Sequence, residues 1–191
     1  QIPFSLFVKG PYRSGLKSLT RYLSEAMVKN AMEESMIELS TPSQFASAEQ
    51  KLTAAFTNAA DLKRFLVIHD IEHLSPAPES EIAWKESELT PLFVKLARKH
   101  PLPFAVTSYI HANSAPFPNF LNNVFSDHIE LRSLTAGQKD EAYKKFFDQS
   151  PPPEDLKHIS GLVIGDFSAA RQHIKRLDPA QIDDRFLLQQ L

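Results

Sequence analysis

The chain has 191 residues, 42% hydrophobic and 23% charged, enough apolar content for one ordinary domain or for a compact domain with a small appendage. Its formal charge of −2 gives no bulk attraction to nucleic acid or to an anionic membrane. Cysteine is absent, which excludes disulfides and thiolate metal sites, and no apolar run approaches the roughly 20 residues that cross a bilayer.

The chain begins Gln1-Ile2-Pro3, with no methionine or signal-like stretch, and is expected to be a piece of a larger protein. Phe4, Ser5, Leu6, Phe7 and Val8 form a β-prone run that stops at Gly10. A polar loop follows, and a helical pattern opens at Gly15, with Leu16, Leu19, Tyr22, Leu23, Ala26 and Met27 in phase to about Asn30. Strand, glycine-bounded loop and helix make the layout of a phosphate-binding loop, because a helix N-terminus offers unpaired N–H groups and partial positive charge. Residues 35–39 predict a short strand, ended by Ser40-Thr41-Pro42. A second helix carries Phe45, Leu52, Ala55, Phe56 and Ala59 on one face. The near-continuous apolar run from Arg64 to Ile68 predicts a strand buried on both faces, and this alternation predicts a parallel sheet.

Residues 75–80 read as a loop, and 81–87 are ambiguous. A helix is expected from Thr90-Pro91 to about His100, with proline in its first turn. Phe104-Ala105-Val106-Thr107 is the next buried strand, 109–118 a loop rich in proline and asparagine, 120–125 a helical turn, and 128–131 the last strand. Beyond Thr135 the pattern is helical: 137–148, a short segment after Pro151-Pro152-Pro153, and 166–177, with a further helix or docking tail over 179–191. The expected organisation is an α/β part, 1–133, and a small all-helical lid, 134–191.

Gly10-Pro11-Tyr12-Arg13-Ser14-Gly15-Leu16-Lys17-Ser18 keeps the glycine spacing of G-x-x-x-x-G-K-[ST]. Helix phase decides which residue takes which position. Apolar residues fall three and six or seven places after Leu16, at Leu19, Tyr22 and Leu23, whereas counting from Lys17 meets Thr20 and Ser24. Leu16 therefore holds the lysine position and Lys17 that of the magnesium-binding hydroxyl. Leucine cannot neutralise a phosphate and an ammonium cannot ligate Mg²⁺, although Arg13, Lys17 and the backbone amides could still attract a phosphate.

His69 and Asp70 leave the Phe65–Ile68 run where an aspartate would hold Mg²⁺ through water and a glutamate would orient the attacking water. Imidazole is a poor ligand for hard Mg²⁺, and aspartate is one carbon shorter than glutamate. His69 to His73 also spells H-x-x-E-H, a zinc-protease pattern, but it follows a strand and soon meets a Ser-Pro loop instead of lying on one helix. Thr107-Ser108-Tyr109 exits a strand where such sheets place a polar contact to the γ-phosphate, and Tyr109 stands where asparagine is usual. In Gly161-Leu162-Val163-Ile164-Gly165-Asp166-Phe167, Gly165 permits close approach of backbone to a base or to a neighbouring helix, and Asp166 reads as an N-cap. His100, His111, His128, His158 and His173 are scattered and read as surface or capping groups.

Taken together, the Gly10–Ser18 loop, the Phe65–Leu74 strand, Phe104–Tyr109 and the lid with Gly165-Asp166 resemble an AAA+ ATPase module over nearly the whole chain. Within that family, Phe125-Ser126-Asp127-His128-Ile129-Glu130-Leu131 with Ser133-Leu134-Thr135 and Gln138, and the Gly161–Phe167 stretch, resemble the first, degenerate ATPase domain of the peroxin motors. The resemblance implies an α/β AAA+ P-loop fold with a helical lid. It further implies a ring scaffold within a hetero-hexameric motor beside other AAA+ subunits, acting from the cytoplasm at the peroxisomal membrane. The degenerate nucleotide site it implies comprises Gly10, Pro11, Tyr12, Arg13, Ser14, Gly15, Leu16, Lys17, Ser18, His69, Asp70, Tyr109 and Gly165. ATP binding is then expected to be weak or absent, with no Mg²⁺, no catalytic residue in this domain and no nucleic-acid partner. Asn122-Asn123-Val124 stand where a trans-acting arginine finger would be sought. The alternatives are a slow or structural ATP-binding domain, and a degenerate AAA+ subunit of an origin-recognition or clamp-loader complex.

Overall fold

In the computed structural model, residues 4–27, 31–35, 45–78, 80–109, 118–148, 152–174 and 184–191 are described. The chain divides into two compact units, Gln1–Gly10 with Leu16–Glu130, and Pro11–Gly15 with Leu131–Leu191.

The first unit alternates strand and helix: β1 (Ser5–Gly10), α1 (Leu16–Met27), β2 (Ala31–Ser35), α2 (Phe45–Asp61), β3 (Phe65–His69), a 3-10 turn (Ile71–Leu74), α3 (Glu81–Glu86), α4 (Leu89–Lys99), β4 (Phe104–Tyr109), α5 (Asn119–Asn122) and β5 (Asp127–Glu130). The strands form one parallel sheet in the order β2-β3-β4-β1-β5. Val8 sits opposite Thr107 on one side and Ile129 on the other, so β1 is an inner strand. All five residues of β3 are buried, which explains its lack of polar alternation. The core of this unit centres on Phe7, Phe56, Phe93, Phe104 and Phe125, whose neighbouring rings lie 5.3–6.3 Å apart, mostly edge-on or tilted.

One strand differs from the sequence reading. The strand expected over 35–39 starts earlier, as β2, whose ladder runs from Ala31 opposite Phe65 to Ser35 opposite His69; the rest of that expected span, 36–39, lies outside the described residues. Residues 36–44 lie outside the described residues, as do 28–30, 110–117 and 175–183. An edge strand needs only one paired side, so Glu33 and Glu34 are tolerated in its ladder.

The second unit holds α6 (Ala136–Phe147), a 3-10 turn (Glu154–His158), α7 (Ile164–Ile174) and α8 (Asp184–Gln190). A reciprocal capping box between Thr135 and Gln138 starts α6, and its C-cap, Asp148, takes the left-handed region at φ 56°. Tyr143, Leu156, Leu162, Phe167 and Leu187 form its core. Lys139 is buried because its ammonium donates to the carbonyls of Lys157 and Ile159, at 3.2 and 2.6 Å.

Candidate functional site

In the first unit the carboxyl ends of β3 and β4 lie side by side, a position where open parallel sheets commonly place ligand-contacting groups. His69 ends β3 and is only 3% exposed. Its Nδ1 lies 3.2 Å from Thr107 Oγ1 and its Nε2 3.4 Å from Glu33 Oε2. Thr107 Oγ1 also accepts from the Asp70 N–H at 3.3 Å, so its own proton is available to Nδ1. The network then assigns the Nε2–H tautomer, donating to the Glu33 carboxylate. Burial, helped by the charge of Lys17, lowers the His69 pKa below the ordinary imidazole value against the pull of Glu33, and so favours this neutral form. Glu33 is in turn held by Arg21, with Nε to Oε1 at 3.1 Å and Nη2 to Oε2 at 3.3 Å. The Arg21 hydrogen bond is the main cause that lowers the Glu33 pKa, with His69 adding and burial opposing.

The result is a polar chain from α1 through β2 and β3 to β4: Arg21, Glu33, His69, Thr107 and the Asp70 amide. Both imidazole nitrogens are taken up by protein groups. Asp70 itself is fully buried and adopts the left-handed region, φ 61°, ψ 47°, an unusual conformation for a residue with a side chain. Glu72 Oε1 accepts from the Tyr109 N–H at 3.3 Å, which ties the first 3-10 turn to the end of β4. Burial raises the Glu72 pKa, the Asp70 charge adds to this, and hydrogen bonds from its own and the Tyr109 amide and from Ser108 oppose it. His69 and His73 do not share a helix, as the H-x-x-E-H pattern would require, and among the described residues no group of metal-holding side chains occurs. At the start of α1, Leu16 is 1% exposed while Lys17 and Ser18 face solvent.

The loop Pro11–Gly15 belongs to the second unit. Ser14 N–H donates to Pro11 O at 3.1 Å, and Arg13 and Gly15 both have positive φ, 63° and 94°. The N–H of Gly165 donates to the Arg13 carbonyl at 3.0 Å. A Cβ on Gly165 would lie 2.5 Å from that oxygen and 2.6 Å from Arg13 Cβ, so the close approach that Gly165 permits is to the loop backbone. The Arg13 guanidinium stands 3.7 Å from Asp166 and 5.8 Å from the Tyr12 ring centre, half-exposed, so these contacts contribute little to stability. Asp166 is not the N-cap. α7 begins two residues earlier, and Asp166 reaches back from the first turn to accept from the Val163 N–H at 2.9 Å. Ser14 Oγ is buried and has no hydrogen-bond partner among the described residues.

Of the residues singled out in the sequence, the structure joins His69 to Thr107 and Asp70, and Arg13 to Gly165 and Asp166. Arg21 and Glu33 had not been singled out. Their signal was the Glu33-Glu34 pair, an acidic interruption that becomes meaningful once β2 is placed in register.

No protein-family model matches the sequence, and no curated protein matches it. Among solved structures the chain is similar to the FIGL-1 AAA domain in complex with ADP, at 13% identity and a TM-score of 0.65, over 98% of this chain and 70% of that one. The likeness is one of fold: a five-stranded parallel sheet flanked by helices, in the AAA+ P-loop α/β arrangement.

Proposed function

We propose, with the AAA+ fold as premise, that this chain is a catalytically inactive AAA+ module that acts as a ring scaffold beside active AAA+ subunits. The observation that carries the proposal is His69. Where a working site needs a carboxylate to hold Mg²⁺ through water, this chain has a buried imidazole closed between Thr107 and Glu33. Its Nδ1 lone pair is engaged and its Nε2 carries the proton, so the donor set does not suit Mg²⁺. Leu16, buried in place of the phosphate-binding lysine, and exposed Lys17 in place of the hydroxyl support the same reading. So does Asn122-Asn123-Val124, which offers no arginine finger to a neighbour.

The resemblance of Phe125–Leu131 with Ser133-Leu134-Thr135 and Gln138, and of Gly161–Phe167, to peroxin 6 suggests the assembly: a hetero-hexameric motor with peroxin 1, which extracts the import receptor from the peroxisomal membrane. In that assembly the module would reach the membrane through its partners; among its described residues no helix is long and apolar enough to cross a membrane. Co-purification with a peroxin 1 subunit as a ring, read by size-exclusion chromatography with light scattering, is the check on that assignment.

One observation favours a second reading, weak structural nucleotide binding. The loop keeps positive φ at Arg13 and Gly15 and an unpartnered Ser14 hydroxyl, which could serve a phosphate alongside its backbone amides. The FIGL-1 domain, of the same fold, was solved with ADP. Calorimetry with ATP, with and without Mg²⁺, decides between them. The scaffold reading expects no saturable heat up to about 1 mM nucleotide and no effect of Mg²⁺. Nanomolar affinity would sink it, and turnover lost in Lys17→Ala would identify a slow ATPase instead.

A further inference from the structure

Away from the strand ends, α3 and α4 enclose a groove of about 670 Å³ within the first unit. Trp84, Pro91 and Val94 give it an apolar lining, and Trp84 is fixed there by its indole N–H, which donates to Pro78 O at 2.9 Å. The remaining lining side chains are Thr90 and four cations, Lys85, Lys95, Arg98 and Lys99, with no carboxylate among them. Lys85 is paired with Glu81 at 2.9 Å. Lys95, Arg98 and Lys99 are exposed and have no ion-pair partner among the described residues. Pro91, Val94, Lys95 and Arg98 follow the i, i+3, i+4, i+7 spacing that brings them onto one face of α4.

Two details separate this groove from an ordinary solvated helix face. Arg98 and Lys99 suit the C-terminal end of α4, where cations meet the helix dipole, but that accounts for neither Lys95 nor the apolar lining. Thr90 is 2% exposed, and its hydroxyl has no hydrogen-bond partner among the described residues, although it lines the groove. A buried hydroxyl without a partner is costly unless something supplies one.

We propose that the groove receives an acidic, amphipathic segment of a partner protein. An apolar side chain would pack on Pro91 and Val94 above the buried Trp84, carboxylates would meet Lys95, Arg98 and Lys99, and a polar group would reach the Thr90 hydroxyl. Charge complementarity selects this occupant: the chain as a whole is acidic, at −2, and the groove is a local reversal of that sign. The apolar lining argues against a bare anion: Pro91 is exposed and Val94 half-buried, over the buried Trp84 that forms the floor of the groove. The inference goes beyond the scaffold reading and does not depend on the state of the nucleotide site.

Trp84 is the one tryptophan of the chain, so its emission reports occupancy directly. The probe is a synthetic helical peptide of about 15 residues made of Glu, Ala and Leu with one Phe. Its controls are the same peptide with Lys for Glu, inorganic phosphate, and vesicles of zwitterionic and anionic phospholipid. The acidic peptide should give a saturable change in Trp84 emission, confirmed by calorimetry, while the lysine peptide gives none. The double variant Lys95→Glu, Arg98→Glu should bind at least about tenfold more weakly with an unchanged circular dichroism spectrum. If that variant fails to fold, Lys95→Gln with Arg98→Gln should give a smaller loss in the same direction. Equal binding of both peptides, or indifference to charge reversal, overturns the proposal. Displacement of the peptide by phosphate would make this a small-anion site, and the same emission change from anionic vesicles alone would make it a lipid site. Either result also overturns it.

Discussion

His69 makes the stability of the first unit sensitive to mild acid, in a definite direction. Burial lowers its folded-state pKa below the ordinary value of 6.5, so between the two values the unfolded chain binds more protons than the folded one. Its contribution is fully present above pH 6.5 and is lost as pH falls through the lowered value. Glu33, held low chiefly by Arg21, acts in the same sense further down, present above 4.5 and lost as its own lowered value is passed. Glu72 has the opposite sign: raised by burial, it contributes fully below 4.5 and loses that contribution as pH rises through its raised value. Because these oppose, the clean measurement is a difference. From about pH 7 to about pH 5 the urea midpoint of the native chain should fall more than that of His69→Gln. Parallel curves would mean that His69 does not titrate as described.

Two glycines of the second unit should respond to the same substitution with opposite signs. Gly165→Ala would drive a Cβ into the Arg13 backbone, where no flexible side-chain end can give way, and should cost about 1–3 kcal/mol. Gly137→Ala meets nothing within 4 Å in the first turn of α6 and should gain up to about 1 kcal/mol from helix propensity. Chemical denaturation of both variants measures the pair. A neutral Gly165→Ala would show that the loop yields easily at Arg13.

At the scale of elements, the aromatic cluster holds the sheet of the first unit to its helices. Phe93 of α4 is fully buried and meets Phe56 of α2, Phe104 of β4 and Phe125. Phe93→Ala should lower the unfolding free energy by about 3–5 kcal/mol, visible as a lower denaturant midpoint. A loss below about 1 kcal/mol would mean that the cluster relaxes into the cavity.

The inner strands were the legible ones. β1, β3 and β4 are buried and flanked by other strands, so their sequences are nearly continuous apolar runs that need no context to read. The start of β2 was missed for the converse reason. An edge strand carries little periodic signal, and Met36-Ile37 drew the reading away from Ala31-Met32-Glu33. The missed start also hid part of the candidate site, since Glu33 meets His69 only through the β2–β3 register, and Arg21 only through Glu33. Asp166 illustrates a different ambiguity. A carboxylate near a helix start can cap from the N-cap position or from the first turn, and only the backbone path distinguishes the two.

For the whole molecule, the alternation of strands and helices and the change to helices beyond Thr135 carried the fold, because each is a long-range pattern repeated over several elements. The division into units was less visible. Pro11–Gly15 groups with Leu131–Leu191, and nothing local in the loop announces partners some 150 residues away, as Gly165 is from Arg13.

The strand order has one more consequence, for solubility. Among the described residues both edge strands are short, five residues in β2 and four in β5, and both carry acids: Glu33 on one, Asp127 and Glu130 on the other. A second copy that tried to extend the sheet edge to edge would have few backbone pairs to gain and would meet charged groups, Glu33 with Arg21 on one edge and Glu130 with Lys9 on the other. Edges of this kind disfavour growth of the sheet from one chain to the next.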